Sequence, residues 1–365
     1  MWNFAAIEQA LARAALDRNE WTPALDVITE QVGAHGAILI PATGSPALPN
    51  YPSTASIEEA NERYFRGGWY LRDERYRGLP LMQKRGIFDD LDLFTQDEID
   101  RHPYYQEFLA PTGLLWFAGV HVRCGDDTWC LSIQRRKDQG PFSSADKRKL
   151  LRLSEAASAA ATTARALGFI AAEGVLEAFE ISGWATLLLD RDGRIARINR
   201  SAEALLREEW QVSEGRLCGL ERQASDSYDR VLRTMLYGGE NTANSAVVLL
   251  PRLLKHPLIA HFLRLPTLSG NALGQCQLAV VLVDPDQRFS PSAMILRTTF
   301  GLTPAEARVA ASLAGGMELE SIAASLHISP TTARNQLKSV FGKTRTRRQP
   351  ELVALLAAIA RPPVR

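Results

Sequence analysis

The apolar residues in the first part of the chain change their spacing several times, and each change predicts an element. Residues 5–33 carry apolar side chains at helical spacing and end at a glycine, which predicts helix. The segment AHGAILIPATG predicts a short buried strand, and WFAGVHVR and TWCLSIQRR flank CGDD as the two strands of a β-hairpin. A long helix then begins after Ser143 or Ser144, either of which can cap it.

A second module starts near Ile181, where strands alternate with turns. WATLLLDRDGRIARINRSAEALL predicts a strand, a tight DRDG turn, a second strand and a helix. Further strands are expected at 245–250, 258–264 and 276–283, between loops that contain proline and glycine. This order predicts an antiparallel sheet with helices on one side. After DPDQRFSPS, which is typical of a linker, the remaining chain has only helical spacing.

The composition is that of a globular protein in water. Of 365 residues, 46% are hydrophobic and 23% are charged. No run approaches the ~20 apolar residues of a membrane span, and the N-terminus has no cleavage site of a secretory signal. The length fits two or three domains, which the pattern places at 1–165, 166–290 and 298–365. We therefore expect a cytoplasmic, multidomain protein that has no membrane partner.

The residue types that usually carry catalysis or bind metals are not grouped in this sequence. The cysteines at 124, 130, 218 and 276 have no metal-ligand spacing and are expected to be reduced thiols. The motifs GxSxG, GxxxxGK[ST] and HExxH are absent. We therefore expect no catalytic residue, no metal and no cofactor, and we do not expect an enzyme.

The net charge of +1 conceals an asymmetry between the two ends of the chain. Residues 301–365 contain nine Lys and Arg against four Asp and Glu, and the first 300 residues contain 33 against 37. From Pro330 onward, eight basic residues face only Glu351. A basic tail on a mildly acidic body predicts a polyanionic partner for the tail alone.

The tail also carries the clearest helix boundaries of the chain. Thr303 is a predicted N-cap, with Pro304 at the first helical position and Glu306 completing a capping box. The short helix LESIAASL follows, and Ser329 and Pro330 begin a third helix after a three-residue turn. Two helices joined by such a turn form the helix-turn-helix plan, whose second helix enters the major groove of DNA.

One face of that third helix is apolar and the opposite face is polar. Ala333, Leu337, Val340 and Phe341 recur at helical spacing and predict the buried side. Arginine is a two-pronged donor that suits guanine, asparagine pairs with adenine, and lysine and threonine suit phosphates or acceptor edges. The residues predicted to point outward are Thr331, Thr332, Arg334, Asn335, Lys338 and Ser339.

Residues 302–356 resemble the LuxR-type helix-turn-helix family. The resemblance rests on the LTPAE start, the Gly-Gly that follows, IAASLHIS, and TxxxxLKxVFxKT. It implies an all-α, four-helix DNA-binding domain at 298–365. It also implies that the last helix, Pro350 to Ala360, pairs two such domains, so we expect a homodimer on paired half-sites of double-stranded DNA.

The resemblance assigns roles to the outward side of the third helix and to the residues that follow it. Two departures, Ala333 for the usual valine and Gln336 for the usual histidine, leave the recognised base sequence open. A cluster of arginines after the helix is expected to add phosphate contacts. The residues expected at bases are Arg334, Asn335 and Lys338, and those expected at phosphates are Thr332, Lys343 and, from the arginine cluster, Arg345.

The two upstream modules resemble sensor domains. The segment from Ile181 to Val283 is similar to a PAS-type fold through LLLDRDGRIARINRSAEALL, and the first module is similar in layout to GAF-type or autoinducer-type ligand domains. The expected fold is therefore multidomain, with α+β sensor domains followed by the helix-turn-helix domain. In each sensor domain, helices would flank an antiparallel sheet.

Aromatic residues in the first module predict a ligand pocket. The patch ERYFRGGWYLRDERY resembles the aromatic-plus-Asp pocket of acyl-homoserine lactone receptors. An aromatic cavity with one charged anchor, Arg72, Asp73 or Arg75, suits a flat or apolar metabolite. The alternative is that these rings fill a core. The predicted ligand-binding residues are Tyr64, Trp69, Tyr70, Arg72, Asp73, Trp116 and Trp129.

Small and apolar residues also recur at spacings of three and four along the long helix. Such a seam is compatible with a coiled-coil-like dimer contact or with a helix that packs on its own domain. The sequence leaves both interpretations open. The seam consists of Leu150, Leu153, Ala157, Ala160, Ala164, Leu167 and Ala171.

Together these features predict a bacterial one-component transcription regulator that is controlled by a small molecule in an N-terminal sensor domain. A second hypothesis keeps DNA binding but makes the sensor domains protein-interaction modules without a ligand. A third hypothesis is a sensory photoreceptor or enzyme whose tail only docks a partner. That hypothesis requires a covalently held chromophore or a catalytic cluster, and the sequence contains neither signal.

Overall fold

The computed structural model combines two antiparallel sheets, a small two-stranded sheet and a C-terminal region of helices. The predicted linker DPDQRFSPS lies partly outside the described residues, as does Ala360, the predicted end of the last helix. The structure describes residues 2–42, 51–206, 210–219, 222–238, 243–269, 271–287 and 290–359.

The N-terminal sheet has four antiparallel strands in the order β1-β4-β3-β2. Its centre is the predicted hairpin, which is confirmed, with Val122 opposite Trp129 and His121 opposite Cys130. The short strand β2 was not predicted, since three residues are too few to display a period. The strands are β1 (Gly36–Pro41), β2 (Ile87–Asp89), β3 (Leu114–Cys124) and β4 (Asp127–Arg136).

Helices cover both faces of this sheet. The helix predicted over 5–33 is two helices, separated at Asp17, whose side chain accepts a hydrogen bond from the Asn19 N–H. Gly33 ends the second one in the left-handed conformation, as glycine permits. The helices are α1 (Phe4–Leu16), α2 (Trp21–Val32), α3 (Glu58–Arg66), α4 (Leu79–Arg85), α5 (Gln96–Ile99), a π-helical segment (Tyr104–Leu109) and α6 (Ala110–Thr112).

The long helix α7 (Ser144–Ile181) belongs to two cores at once. Ser143 caps it in a capping box with Asp146, as predicted. Its first half packs on the N-terminal sheet, and its second half places Ala172 and Leu176 against the central sheet. The predicted division between residues 165 and 166 therefore falls inside an unbroken helix. Five of the seven seam residues are buried within the N-terminal core, as the self-packing interpretation expects: Leu150, Leu153, Ala157, Ala160 and Ala164. Leu167 is exposed and Ala171 is half-buried.

The central sheet has five antiparallel strands in the order β6-β5-β11-β10-β9. All five predicted strands are confirmed. Its strands are β5 (Ala185–Leu189), β6 (Ile195–Ile198), β9 (Ser245–Leu250), β10 (Leu258–Leu263) and β11 (Leu278–Val283). The other elements of this module are α8 (Arg200–Leu205), a hairpin of β7 (Trp210–Ser213) and β8 (Arg216–Gly219), α9 (Arg222–Tyr237) and α10 (Pro266–Ser269).

Side chains join the first two modules beside α7. Oδ2 of Asp127, the first residue of β4, accepts hydrogen bonds from Arg165 at 2.9 Å and Arg191 at 3.1 Å. The Arg191 guanidinium also lies 4.7 Å from the ring centroid of Trp129. The hairpin of the first sheet is thereby tied to the DRDG turn of the second.

The C-terminal region consists of helices around one small core. The predicted caps are confirmed: Thr303 and Glu306 form a capping box, and Ser329 caps the helix that begins at Pro330. Apolar residues from each helix, including Leu296, Leu313 and Leu352, meet in the core. The helices are α11 (Ala293–Phe300), α12 (Pro304–Ala314), α13 (Leu319–Ser325), α14 (Pro330–Thr344) and α15 (Gln349–Ile359).

Candidate functional site

A cavity opens between the N-terminal sheet and the helical layer formed by α3, α4 and the π-helical segment. Its volume is about 80 Å³. Successive side chains of a strand point to opposite faces, so the sheet supplies every second residue of β4 to the cavity wall. The wall includes Ile38, Ile40, Cys130, Ser132 and Gln134 from the sheet and Tyr64, Phe65, Asp73, Arg75, Tyr76, Tyr104 and Phe108 from the helical layer.

One polar part of the cavity wall is built around the carboxylate of Asp73. Its Oδ2 accepts hydrogen bonds from the hydroxyls of Tyr64 and Tyr104, both at 2.9 Å. Its Oδ1 accepts one from the backbone N–H of Arg75 at 3.0 Å. Each phenol has a single proton, and both phenols donate it to this carboxylate.

Burial keeps these phenols protonated. Burial first, and then the negative charge of Asp73, raise the pKa of Tyr64 and of Tyr104 well above the ordinary tyrosine value. Both hydroxyls therefore remain donors to Asp73 at any physiological pH. Burial also raises the pKa of the Cys130 thiol to about 12, which makes this cysteine an inert part of the wall.

Arg75 lines the same cavity but is paired with a second carboxylate. Its Nε donates to Asp90 Oδ1 at 2.8 Å, and its Nη2 donates to the Leu115 carbonyl at 3.2 Å. Asp90 also accepts from the Tyr105 hydroxyl at 2.5 Å and from the Phe117 N–H at 2.6 Å. The two charged side chains are only 5% and 1% exposed. A buried ion pair persists when additional hydrogen bonds satisfy both partners, as they do here.

Aromatic rings surround the Arg75 guanidinium. The ring centroids of Tyr104, Tyr105 and Phe117 lie 5.2, 5.2 and 4.7 Å from its central carbon. Burial acts to lower the pKa of Arg75, but Asp90, the two tyrosines and Asp73 outweigh it and raise that pKa above its usual range. Arg75 is therefore a permanent cation whose charge is matched by Asp90.

Two of the predicted ligand-binding residues, Tyr64 and Asp73, line the cavity. Trp69 and Tyr70 lie behind its wall: Trp69 stacks on Phe108 with ring centroids 5.4 Å apart, and Tyr70 contacts Tyr64. Arg72 is exposed and lies over the outer ring of Trp69. These three residues support the aromatic wall but do not line the cavity.

Trp116 and Trp129 lie on the opposite face of the sheet. Phe117 and Cys130 line the cavity, so their sequence neighbours must point away from it. Both tryptophans belong to the core on the other face, and Trp129 contacts Tyr51 and Arg191. Neither contributes to this cavity. Sequence patterns gave no signal for Asp90, whose role depends on contacts that are distant along the chain.

The C-terminal helix α14 presents a polar face to solvent. Ala333, Leu337 and Val340 are buried, as predicted, whereas Phe341 is half-buried. Five predicted outward residues are exposed, and Ser339 is half-buried. Arg334, 64% exposed, lies 3.5 Å from the equally exposed Glu320, a surface pair of little energetic consequence. The exposed side chains are Thr331, Thr332, Arg334, Asn335 and Lys338.

Helix α14 is held on α12 by the carboxylate of Glu306. Lys343 Nζ and the Ser339 hydroxyl each donate to it at 2.7 Å, and the Thr303 N–H donates at 2.7 Å. Burial opposes ionisation, but Lys343 and the other donors outweigh it and lower the pKa of Glu306 to about 2. The ammonium of Lys343, a predicted phosphate contact, is therefore already engaged within the domain.

A residue with left-handed backbone conformation lies on each side of α14. His327, in the turn before the helix, has φ +55°, and Arg345, directly after it, has φ +57°. The Ser329 hydroxyl accepts the Thr332 N–H at 3.0 Å and so begins the helix after the turn. Arg345 is exposed, as are Arg347 and Arg348. The predicted DNA contacts other than Lys343 therefore have side chains open to solvent.

Comparisons with known proteins give distant likenesses only. No family model and no curated protein matches the sequence. A crystal structure of the phage VqmA–DPO complex matches 52% of this chain and 89% of its own, with 16% identity and a TM-score of 0.23. A crystal structure of the VqsR ligand-binding domain from Pseudomonas aeruginosa matches 44% of this chain and 95% of its own, with 16% identity and a TM-score of 0.32. Both structures are weak neighbours of this fold.

Two further searches concern only the part of the chain that the structure describes. No group of three His, Cys, Asp or Glu side chains there is arranged to hold a metal ion. None of the helices in those ranges has both the length and the apolar character needed to cross a bilayer.

Proposed function

We propose that this protein is a DNA-binding transcription regulator controlled by a small molecule bound in the N-terminal cavity. The observation that carries the proposal is the exposed face of α14, where the side chains of Arg334, Asn335 and Lys338 are open to solvent. These residue types read base edges and phosphates in the major groove. The side chains opposite them, Ala333 and Val340, are buried and fix the direction of this face.

The arrangement of the neighbouring helices supports the same proposal. Helices α13 and α14 are separated by four residues, and the second begins with a capped, well-defined turn. This is the arrangement in which a helix-turn-helix domain inserts its second helix into DNA. The resemblance to LuxR-type domains over residues 302–356 assigns the same helix to that role.

The strand order of the central sheet supports a PAS-like domain. Numbered along this module alone, leaving out the separate β7–β8 hairpin, its strands lie in the order 2-1-5-4-3, and every neighbouring pair is antiparallel. The resemblance to PAS domains goes with the antiparallel sheet expected for this module. In the N-terminal module, the cavity beside the sheet supports a GAF-like or autoinducer-like sensor.

We further propose a homodimer that binds paired half-sites. A ligand that binds one arrangement of the sensor modules better than another shifts the population between them. In a dimer, such a shift changes the distance between the two recognition helices. Five of the seven seam residues on α7 are buried within the protomer, so we favour pairing through α15, as the LuxR-type resemblance implies.

The proposal is tested on the full chain with duplexes selected from a random DNA pool. Arg334→Ala and Lys338→Ala should each weaken binding by about 5- to 150-fold, which corresponds to about 1–3 kcal/mol per contact. Arg308→Ala is the matched control, because Arg308 is an exposed arginine on α12 of the same domain. It should change the affinity less than about twofold. Wild-type affinity in both α14 variants, measured by fluorescence anisotropy, would contradict the assignment.

A further inference from the structure

A loop of the central module is inserted into the N-terminal module. Leu273, between α10 and β11, is 1% exposed and belongs to the hydrophobic core of the N-terminal module, and Ala272 packs against the same core. The Asn271 Nδ2 atom donates to the Ala164 carbonyl of α7 at 2.9 Å, and its Oδ1 accepts the Leu273 N–H at 3.1 Å. We call residues 271–274 the latch, because they fasten the second module to the first.

The latch is held firmly by its own module. Gln277 is 9% exposed, and its Nε2 donates to the carbonyls of Asn271 at 3.0 Å and Gly274 at 2.9 Å. The Gln277 N–H donates to the Leu189 carbonyl of β5 at 2.7 Å. Strand β11 begins at the next residue, Leu278, and leads to the linker. A displacement of the latch is therefore a displacement of the central sheet.

The part of α7 beside the latch belongs to neither core. The helix contributes to the N-terminal core as far as Ala164 and to the central core from Ala172. Residues 165–171, all within the described part of the chain, contribute to neither, and Ile170 among them is 65% exposed. A stretch of this length is too short to be a stable helix by itself in water, and Gly168 lowers its helix propensity further. The span therefore depends on the contacts made beside it.

The latch and this span of α7 touch at Gly168. A methyl group on Gly168 would lie 2.9 Å from Asn271 Nδ2 and 3.2 Å from the Gly274 Cα atom, so the absence of a side chain permits the close approach. Two side chains of the span make further contacts between the modules: Arg165 with Asp127 at 2.9 Å and Phe169 with Arg197 at 4.7 Å. The latch is thus the backbone contact of the span.

A cleft beside the latch leaves room for the two modules to move. Its volume is about 360 Å³, and it lies between the end of α1, the middle of α7 and the central module, where Pro266 and Asn271 line it. Leu16 and Leu167, in the wall on the side of α1 and α7, are both exposed. The cleft is therefore open, and its width is determined by the angle between the modules.

We propose that α7 is a hinge at residues 165–171 and that the latch holds the two modules in one arrangement. When the latch is released, α7 bends beside Gly168 and the cleft changes its width. Because the latch leads directly into β11 and the linker, a change in the N-terminal core that displaces Leu273 alters the direction of the linker. This last step rests on the proposed function, since it assigns the movement to a DNA-binding domain, whereas the hinge does not.

Hydrogen exchange, measured by mass spectrometry on the full chain without DNA, tests the hinge. Asn271→Ala removes two hydrogen bonds of the latch. We expect the amides of 165–171 and of the latch to exchange about fivefold to thirtyfold faster, the change in an opening equilibrium for one or two lost hydrogen bonds. The amides of β4 and β10, inside the two modules, should exchange as in the wild type.

The matched control is Asn244→Ala, because Asn244 is an exposed asparagine of the central module. It should leave exchange unchanged throughout. Wild-type exchange at residues 165–171 in Asn271→Ala would overturn the hinge. Faster exchange spread equally over β4 and β10 would also overturn it, because the latch would then be only a part of the common core.

A second pair of variants reaches the same contact from the side of α7. Gly168→Ala places a methyl group against the latch, whereas at Gly174 on the same helix the added methyl group faces open space. Both changes raise the helix propensity equally, so the difference between them reports the contact with the latch. We expect exchange in the latch to be about fivefold faster in Gly168→Ala, the effect of a mild steric clash, and unchanged in Gly174→Ala. Identical exchange in both variants would contradict the close contact.

The outcome is separable from that of the DNA-binding test. Wild-type exchange in Asn271→Ala would overturn the hinge and leave the role of α14 untouched. Conversely, wild-type DNA affinity in Arg334→Ala and Lys338→Ala would overturn the DNA interface and leave the hinge standing.

Discussion

The N-terminal and central sheets are both antiparallel and both covered by helices, yet the space between sheet and helices is occupied differently in each. In the central module, large aromatic rings fill the interior. Trp210, Tyr228 and Phe262 are almost fully buried, and Tyr228 contacts the other two rings. In the N-terminal module, charged and hydroxyl groups such as Asp73 and Arg75 stand in that layer, and a cavity remains.

The difference shows in which of the two modules the described residues leave space for a small molecule. A cavity lined by apolar rings alone would gain free energy by collapsing around them. Asp73 and Arg75 are instead held in place by specific hydrogen bonds. In the N-terminal module this hydrogen-bond network holds the helical layer away from the sheet. In the central module, packed side chains fill the space between sheet and helices. Three substitutions test this contrast.

The largest effect is expected from breaking the ion pair that supports the cavity. Asp90→Asn leaves the Arg75 cation buried without its counter-charge, and the loss of one partner of a buried pair typically costs about 3–5 kcal/mol. Urea unfolding followed by tryptophan fluorescence measures the change. Asp138→Asn, in the same module outside the cavity, is the control. A loss below about 1 kcal/mol would mean that the pair does not hold the cavity open.

An intermediate effect is expected from Tyr104→Phe in the N-terminal module. This change removes only the hydroxyl that donates to Asp73. Hydrogen bonds to a charged group contribute about 1.5–3 kcal/mol, so the free energy of unfolding should fall by that order. The same unfolding experiment applies, and a neutral result would argue against a tight Asp73 network.

The smallest effect is expected from the same change in the central module. The Tyr228 hydroxyl is buried and has no hydrogen-bond partner among the described residues. Tyr228→Phe should therefore alter stability by less than about 0.5 kcal/mol or increase it slightly, because no bond is lost. Comparable destabilisation by Tyr104→Phe and Tyr228→Phe would remove the distinction between a polar cavity and a filled core.

Local signals in the sequence predicted much of the fold. The hairpin around CGDD, the caps at Ser143, Thr303 and Ser329, and the five central strands are determined by neighbouring residues, and all are confirmed. The role of the seam on α7 was ambiguous, because the same spacing of apolar residues is compatible with contact to a partner chain or with packing on the protein's own core. Only tertiary structure distinguishes the two cases.

The cavity was predictable only in part. The aromatic patch with Asp73 led to Tyr64 and Asp73, since both lie in one short segment. Trp116 and Trp129 do not line this cavity, because the face on which a strand residue lies depends on register, which the sequence pattern leaves open. In β3 that register shifts between Leu114 and Trp116. Arg75 and Asp90 lie in different segments of the chain, and no local sequence pattern predicts that these segments meet.

The unbroken helix α7 has a consequence for the independence of the modules. Its 38 residues span about 57 Å at 1.5 Å per residue, and they complete both hydrophobic cores. A cut after residue 165 would remove Ala172 and Leu176 from the N-terminal fragment, so these residues could no longer link the two modules. The same cut would end α7 of the N-terminal module in the middle of the helix. The first two modules therefore share the helix α7, and we expect them to unfold as a single cooperative unit in which each module stabilises the other.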